Sequence, residues 1–273
     1  MLYFIPSPIG NLEDISYRAI SLLKECDVII CEDTRVCKSL IQALNFKFDL
    51  SIKISKFMSL HSHNEKDFLS KIDKDFFKKN VIYMSDAGMP CISDPGAVLV
   101  DFAIKNKIDY EVIPGANALI CAFASSGFTQ KEFSFFAFLS NKGKDRQNEI
   151  KNLMQNPYIS VVYEAPTRIL SLIESIASID EDRVLFAIKE ISKKFEKKFK
   201  ASAKELLKIL KNENLNGEWV LVVDSNKNEK RNFINENDIL NLNIPLKEKS
   251  KLLAKINSKN PKEIYKKLLL SQN

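Results

Sequence analysis

The loop at residues 85–96 holds the side chains of this chain best suited to binding a ligand, with two Asp, two Gly and two Pro. The apolar run 81–84 before it predicts a buried strand, and 97–103 after it predicts a helix. Glycine allows tight turns and close backbone approach, and Asp86 at the strand end can accept hydrogen bonds from hydroxyl or amino groups. Such clusters are often only structural turns, so this loop alone does not establish a site.

Three other polar loops also follow predicted strands, at 7–12, 32–35 and 114–118. Strand and helix patterns alternate over residues 1–115, which predicts a largely parallel sheet. The carboxyl ends of parallel strands meet at one edge, and open α/β sheets bind their ligands there. We therefore expect the four loops to converge on one cleft.

The loop 32–35, with the sequence Glu-Asp-Thr-Arg, places two carboxylates and a guanidinium beside that cleft. Arg35 could hold a substrate phosphate and Glu32 or Asp33 could act as a base, although a solvated turn with an internal ion pair is the alternative. His61 is a third candidate base. Together with His63 it could also bind a metal, but further ligands are not evident, so we expect no metal site.

Missing motifs exclude several enzyme classes. The chain has no P-loop, no G-x-G-x-x-G after its first strand and no G-x-S-x-G, which argues against nucleoside triphosphate, dinucleotide and serine hydrolase chemistry. No apolar stretch reaches membrane-spanning length, and the amino terminus does not resemble a signal peptide. The five Cys lack disulfide-framework spacing, which is typical of reduced thiols. We therefore expect a cytoplasmic protein that does not bind membranes.

Hydrophobic periodicity predicts two α/β domains and a small helical extension, with the bounds 1–117, 118–224 and 233–273. Within the first domain the pattern predicts a helix capped by Asp14, a helix at 38–44, a weaker strand at 52–58 and a helix ending near 79. The second domain contains five strand patterns, and residues 140–146 are expected to form a basic loop.

The last fifth of the chain carries the entire net charge of +6. Residues 225–273 hold eleven Lys/Arg against five Asp/Glu, whereas 1–224 hold thirty of each sign. The polar segment 225–232 is expected to be a linker, and two amphipathic helices are predicted at 246–256 and 261–270. A basic extension on a neutral body is typical of proteins with a polyanionic partner, and a solvated Lys-rich tail is the alternative.

Ten short motifs spread over essentially the whole chain carry a resemblance to a known family. They are the segments 6–12, 32–35, 61–65, 85–90, 94–96, 114–115, 138–139, 163–168, 189–193 and 217–220. In this order they resemble the motifs of the rRNA ribose 2′-O-methyltransferases, a branch of the tetrapyrrole methylase superfamily. Four residues depart from the usual family pattern: Thr167 for His, Ala116 for Pro, Met89 for Thr and Lys189 for Arg.

The resemblance implies two α/β domains of the tetrapyrrole methylase type, with the cofactor S-adenosylmethionine held in the cleft between them. It implies a homodimer that methylates the ribose 2′-oxygen of a cytidine in the decoding region of 16S rRNA. The RNA would be presented in an assembled or assembling 30S particle. Two alternatives stay open: methylation of a small molecule such as a tetrapyrrole, which the basic tail disfavours, and a non-catalytic RNA-binding ribosome-assembly factor.

The resemblance and the residue chemistry together nominate three groups of site residues. Expected cofactor contacts are Pro8, Ser85, Asp86, Ala87, Ile92, Ser93, Tyr163 and Gly217. Expected catalytic residues are Glu32, Asp33, Arg35 and His61. Expected RNA contacts are Arg35, Lys142, Lys144, Arg146, Lys251 and Lys255.

Overall fold

Two five-stranded sheets form the body of the protein in a computed structural model that describes residues 1–226, 236–257 and 259–270. Residues 1–226 contain both sheets and form one compact unit, and the described part of 227–273 forms a second. Apolar clusters lie on both faces of each sheet, because helices cover both faces.

The first sheet contains the strands β1 (Leu2–Phe4), β2 (Val28–Cys31), β3 (Lys56–Ser59), β4 (Val81–Met84) and β5 (Tyr110–Val112). Its helices are α1 (Tyr17–Lys24), α2 (Thr34–Phe48), α3 (Glu65–Ser70) and α4 (Ala97–Asn106). The strand order is β3-β2-β4-β1-β5 and every pair is parallel, so the parallel sheet predicted from the sequence is confirmed. Along β4, Val81 and Tyr83 pack into one apolar cluster, while Ile82 and Met84 pack into the opposite one. A strand buried on both faces therefore explains the continuous apolar run.

The second sheet contains β6 (Phe133–Phe138), β7 (Ile159–Glu164), β8 (Val184–Lys189), β9 (Lys197–Ser202) and β10 (Trp219–Val223). Its helices are α5 (Ala118–Ser126), α6 (Gly143–Gln155), α7 (Ile169–Ile179) and α8 (Ala203–Leu210). In the order β6-β7-β10-β8-β9, the first pair is parallel and the others are antiparallel. Trp219 and Leu221 pack under α6, α7 and α8, and Val220 and Val222 pack on the α5 side. The domain boundary expected at 117/118 stays a prediction.

Several element boundaries differ from those expected from the sequence. α2 begins earlier than expected because the Asp33 side chain accepts a hydrogen bond from the Arg35 N–H and caps the helix. Ser16, not Asp14, caps α1 by accepting from Ala19 N–H. The expected helix ending near 79 is divided into α3 and a short 3₁₀ helix, which is capped by Asp73.

The second unit consists, in its described part, of α9 (Glu236–Asn241), α10 (Leu246–Asn257) and α11 (Pro261–Leu270). Ile239, Leu253, Ala254 and Ile264 form its small core. The structure thus confirms the helical extension and adds α9, which the sequence pattern did not predict. Most of the expected linker at 225–232 lies outside the described residues. None of the described helices is long and apolar enough to cross a membrane.

Gly96 closes the loop before α4 with a φ of +120°, and replacing it by Ala is expected to destabilise the protein. A Cβ at Gly96 would lie 2.5 Å from Cε1 of the buried Tyr83 ring. Backbone strain and overpacking together should lower the free energy of unfolding by about 2–4 kcal/mol. Thermal and denaturant unfolding of Gly96→Ala would measure this loss.

Gly143→Ala is the matched control for this prediction. Gly143 also has a positive φ, +82°, but a Cβ there would meet nothing within 4 Å. The free energy of unfolding of Gly143→Ala should therefore fall only by the cost of backbone strain, about 1–2 kcal/mol. Equal losses in the two variants would contradict a steric role for the Tyr83 ring.

Candidate functional site

A cavity of about 380 Å³ opens between the two sheets, within the range of small-molecule sites. One wall is formed by loops that follow β1, β4 and β5, through Ile9, Ala87, Gly88, Met89, Ile92, Ser93, Asp94, Asn117 and Ala118. The other wall comes from the second sheet, through Phe138, Tyr163, Glu164, Ala165, Pro166, Ile191, Glu218, Trp219 and Val220.

Hydrogen bonds join the loops that the sequence placed at one edge of the first sheet. Ser7 and Gly88 exchange backbone hydrogen bonds of 3.0 and 2.9 Å, and Ser7 Oγ donates to the carbonyl of Ser85 at 2.6 Å. The backbone N–H of Asp33 donates to Oδ1 of Asp86 at 3.1 Å. The loops therefore converge as expected, although 32–35 contacts the loop 85–96 without lining the cavity.

Of the eight expected cofactor residues, four lie in the cavity wall: Ala87, Ile92, Ser93 and Tyr163. The Tyr163 hydroxyl accepts a hydrogen bond from the Leu119 N–H at 3.1 Å, and burial raises its pKa to about 12. Tyr163 is therefore an un-ionised aromatic surface that also ties the second sheet to the start of α5.

The other four expected cofactor residues support the wall without lining it. Ser85 and Asp86 make the loop contacts already described, and Pro8 precedes the lining residue Ile9. Gly217 has a φ of +122°, and a Cβ there would lie 2.7 Å from Cγ of Glu190. Their places in the structure indicate that they shape the cavity.

Asp94 and Asn117 line the cavity but were not nominated from the sequence. Asp94 belongs to the Asp-Pro-Gly end of the 85–96 loop, and its pKa is raised by burial and further by the nearby Asp86. The Asn117 side chain accepts from Ile120 N–H at 3.2 Å and caps α5. The Asp-Pro-Gly sequence was the available signal for Asp94, since it placed a second carboxylate in the ligand loop.

Four carboxylates form an acidic cluster at this edge of the sheet: Glu32, Asp33, Asp86 and Asp94. The pKa of Glu32 is raised by burial and by repulsion from Asp86, Asp94 and Asp33, and burial also raises the pKa of Asp86. Burial and mutual repulsion therefore make the charged forms of Glu32, Asp86 and Asp94 less favourable than those of free carboxylates, and a nearby positive charge would stabilise them. Asp94, the member of this cluster that lines the cavity, thus suits the cavity to a ligand that combines an apolar ring with a cationic group.

Asp33 differs from its neighbours because Arg35 pairs with it. Arg35 Nη2 lies 2.6 Å from Asp33 Oδ2, and this hydrogen bond holds the pKa of Asp33 to about 2. The Arg35 side chain is itself 89% exposed. The internal ion pair considered from the sequence therefore exists, and it leaves the guanidinium open to a further anion.

His61 follows β3 and lies beside the end of β2, because Leu60 N–H donates to the carbonyl of Cys31. Its backbone N–H donates to Asn64 Oδ1 at 2.8 Å, while its buried Nδ1 has no hydrogen-bond partner among the described residues. No group of three or more His, Cys, Asp or Glu within residues 1–226, 236–257 and 259–270 could hold a metal ion.

Arg146 does not occupy the exposed loop that the sequence suggested, which corrects its assignment as an RNA contact. Residues 143–146 already belong to α6, and the nearly buried Arg146 guanidinium lies 2.8 Å from Oε2 of Glu164. Arg168 Nε and the Ala165 N–H bond to Oε1 of the same carboxylate at 2.7 and 2.8 Å. This cluster holds the segment 165–166 in the cavity wall.

The remaining basic residues nominated for RNA are exposed. Lys142 and Lys144 lie at the start of α6, and Lys251 and Lys255 lie on α10 in the second unit. Lys251 pairs with Glu248 at 2.8 Å. Their exposure is compatible with binding a polyanion.

Comparisons with known proteins match this chain over most of its length. The model of the family described as tetrapyrrole (corrin/porphyrin) methylases matches residues 1–207. A protein of Campylobacter fetus named ribosomal RNA small subunit methyltransferase I is 55% identical, over 98% of this chain and 100% of its own. Proteins of the same name from Helicobacter pylori J99 and Bacillus subtilis are 39% and 36% identical, over 100% and 84% of this chain and 98% and 76% of their own.

A solved structure shows a similar fold at low sequence identity. The uroporphyrin-III-C-methyltransferase of Thermus thermophilus aligns with a TM-score of 0.54 and 14% identity, covering 82% of this chain and 93% of its own. At this identity the likeness establishes the fold and leaves the substrate open.

Proposed function

The chain belongs to the tetrapyrrole (corrin/porphyrin) methylase family, and we propose that it methylates the ribose 2′-oxygen of a cytidine in the decoding region of small-subunit rRNA, with S-adenosylmethionine as cofactor. The observation that carries this proposal is the match over 98% of the chain to a relative named as a small-subunit rRNA methyltransferase. We further propose that it works in the cytoplasm as a homodimer, on an assembled or assembling 30S particle.

The chemistry of the cavity fits this cofactor. Ile92, Ala87 and Tyr163 offer apolar surface for an adenine ring, and the half-buried Asp94 offers a carboxylate to a cationic or hydroxyl group. Asn117 adds an amide to the same wall. When bound, S-adenosylmethionine supplies an electrophilic methyl group on a positively charged sulfur.

The chain's own contribution to the reaction is to position the ribose and to accept its proton. Glu32 is the best candidate base, because its pKa is raised while the pKa of Asp33 is held to about 2. His61, whose buried Nδ1 has no hydrogen-bond partner in the described part of the chain, is the second candidate. Orienting the 2′-oxygen towards the methyl group supplies several kcal/mol by itself.

The exposed cations provide the phosphate contacts in this proposal. Arg35 lies beside the acidic cluster. Lys142 and Lys144 lie at the start of α6, and Lys251 and Lys255 lie in the second unit. Each neutralised phosphate releases counterions, so RNA affinity should fall steeply with salt. The basic extension favours RNA over a small tetrapyrrole as the substrate.

A methyl-transfer assay would test the proposal. It would combine the purified protein and labelled S-adenosylmethionine with small-subunit RNA or 30S particles from cells lacking this protein. We expect label on one cytidine, at the ribose oxygen. Label on a base would refute the ribose assignment, and transfer only to a small acceptor would support the tetrapyrrole alternative. Cofactor and RNA binding without turnover would support the assembly-factor alternative.

Asp94→Asn is expected to weaken S-adenosylmethionine binding. The change keeps the side-chain shape but removes the charge of a carboxylate in the cavity wall. A hydrogen bond to a charged group contributes about 1.5–3 kcal/mol, so calorimetry should show that much loss of binding free energy.

Asp101→Asn is the control, because this exposed carboxylate lies on α4 and pairs with Lys105. It should bind the cofactor as the unaltered protein does. Unchanged affinity in Asp94→Asn as well would show that the Asp94 carboxylate makes no contact with the cofactor.

A further inference from the structure

The turn between β8 and β9 displays an exposed aromatic ring next to a lysine side chain. Phe195 is 69% exposed, and Lys194 Nζ lies 5.6 Å from the centre of its ring. Lys193, Lys197 and Lys198 all pair with carboxylates, whereas Lys194 has no carboxylate partner within the described parts of the chain. The surface formed by Lys194 and Phe195 therefore offers positive charge and an exposed aromatic ring together.

This surface lies close to the cavity. Ile191 and Glu218 line the cavity, and Lys193 Nζ bridges Glu190 Oε1 at 3.0 Å and Glu218 Oε2 at 2.9 Å. Phe195 follows Ile191 by four residues, so their Cα atoms are at most about 14 Å apart. A polymer with one unit at the mouth of the cavity can thus place a nearby unit on Phe195.

The turn is fixed by its own contacts. Ser192 N–H donates to Glu196 Oε2 at 2.7 Å, and Glu190 N–H donates to the carbonyl of Glu218 at 2.9 Å. Ser192 Oγ also donates to Asp14 of the first sheet's loop. Glu190 and Ser192 hold positive φ values of 56° and 67°, which cost free energy that the surrounding contacts must offset. The ring is therefore presented to solvent on a well-defined backbone.

We propose that Phe195 stacks on a base that flanks the methylated nucleotide, while Lys194 contacts an adjacent phosphate. The inference rests on the proposed function and names the residues that hold its RNA beside the cavity. Proteins bind unpaired RNA through aromatic rings on which bases stack, and cations beside those rings track the backbone. An exposed ring and an adjacent ammonium group on a fixed turn supply both contacts.

Phe195→Ala should weaken binding of a short rRNA fragment from the target region about 5- to 100-fold, measured by fluorescence anisotropy without cofactor. KM for RNA should rise similarly, while calorimetric affinity for S-adenosylmethionine stays unchanged. Phe195→Trp should restore binding and Phe195→Leu should not, because stacking requires a π face. Lys194→Ala should reduce the slope of log RNA affinity against log salt concentration by about 0.7 in magnitude. Lys198→Ala, which removes a lysine paired with a carboxylate, should leave this slope unchanged.

Phe46→Ala is the matched control. Phe46 is 93% exposed and is followed by a lysine, as an exposed ring beside a cation requires of a control. It lies twelve residues after the first residue of α2, and therefore about 18 Å from the end of the helix that adjoins the acidic cluster. It should bind RNA as the unaltered protein does.

RNA affinity in Phe195→Ala equal to that of the unaltered protein would overturn this inference and leave the proposed function standing. A shift in the monomer–dimer equilibrium by sedimentation, with unchanged RNA affinity, would likewise overturn it in favour of a protein contact. An unaltered protein that binds the fragment through Phe195 but methylates no RNA would refute only the proposed function.

Discussion

Replacing Glu32 by Gln should slow methyl transfer to RNA about 10²–10⁴-fold without unfolding the protein. Glu32 follows β2, and burial and three neighbouring carboxylates raise its pKa, so it holds a proton more readily than an ordinary Glu. A base of this kind accepts the ribose proton better than Asp33, whose pKa is held to about 2. Gln keeps the shape of the side chain and removes a charge that burial disfavours, so stability should not fall.

Single-turnover rates as a function of pH would measure this effect. In the unaltered protein the rate should rise with pH through the raised pKa of Glu32, because only the ionised carboxylate accepts a proton. In Glu32→Gln this rise of the rate with pH should disappear. Glu25→Gln is the control, since Glu25 is exposed at the opposite end of β2.

An unchanged rate in Glu32→Gln would contradict the assignment of the base. If the rise of the rate with pH is lost in a His61→Ala variant and Glu32→Gln keeps the full rate, His61 would be identified as the base. A lower melting temperature of Glu32→Gln would instead show that the carboxylate supports the fold.

Glu164→Ala is expected to lower the free energy of unfolding by about 3–5 kcal/mol. The Glu164 side chain is fully buried, and it bonds to Arg146, Arg168 and the Ala165 N–H. Removing it leaves the nearly buried Arg146 guanidinium without its carboxylate. Denaturant unfolding followed by Trp219 fluorescence reports on the same sheet, because Trp219 pairs with Glu164 in the β7–β10 ladder.

Glu174→Ala is the control for this ion cluster. Glu174 pairs with Lys211 at 3.8 Å and both side chains are about half exposed, so its loss should change stability by at most about 1 kcal/mol.

A small effect of Glu164→Ala would show that water or a rearranged Arg146 replaces the carboxylate. Glu164→Gln should give an intermediate loss, because it retains one acceptor.

The sequence by itself determined the fold class and the general position of the site. Alternating patterns over 1–115 predicted the parallel sheet, because a strand buried on both faces must be apolar throughout, as Val81–Met84 is. Parallel strands must end at one edge, so the polar loops that follow them were expected to meet. Local capping was also readable in principle, since Asp33 bonds to Arg35 two residues away.

Only the tertiary structure decided which loop side chains face the cavity. Asp86 and Asp94 belong to the same loop, yet Asp86 bonds to Asp33 across 53 positions of sequence and Asp94 lines the wall. Arg146 looked like a surface cation in the sequence and is nearly buried against Glu164. Phe195 lies two residues before β9, and its exposure on a fixed turn beside the cavity was not evident from the sequence.

These differences share one physical reason. The periodicity of a segment reports which of its faces is apolar, and that information is local. The direction of a polar side chain in a loop depends on partners far along the chain, and so does the pKa of a carboxylate beside them. Burial, charge and hydrogen bonding at the acidic cluster therefore became definite only when the loops that follow β2 and β4 came together.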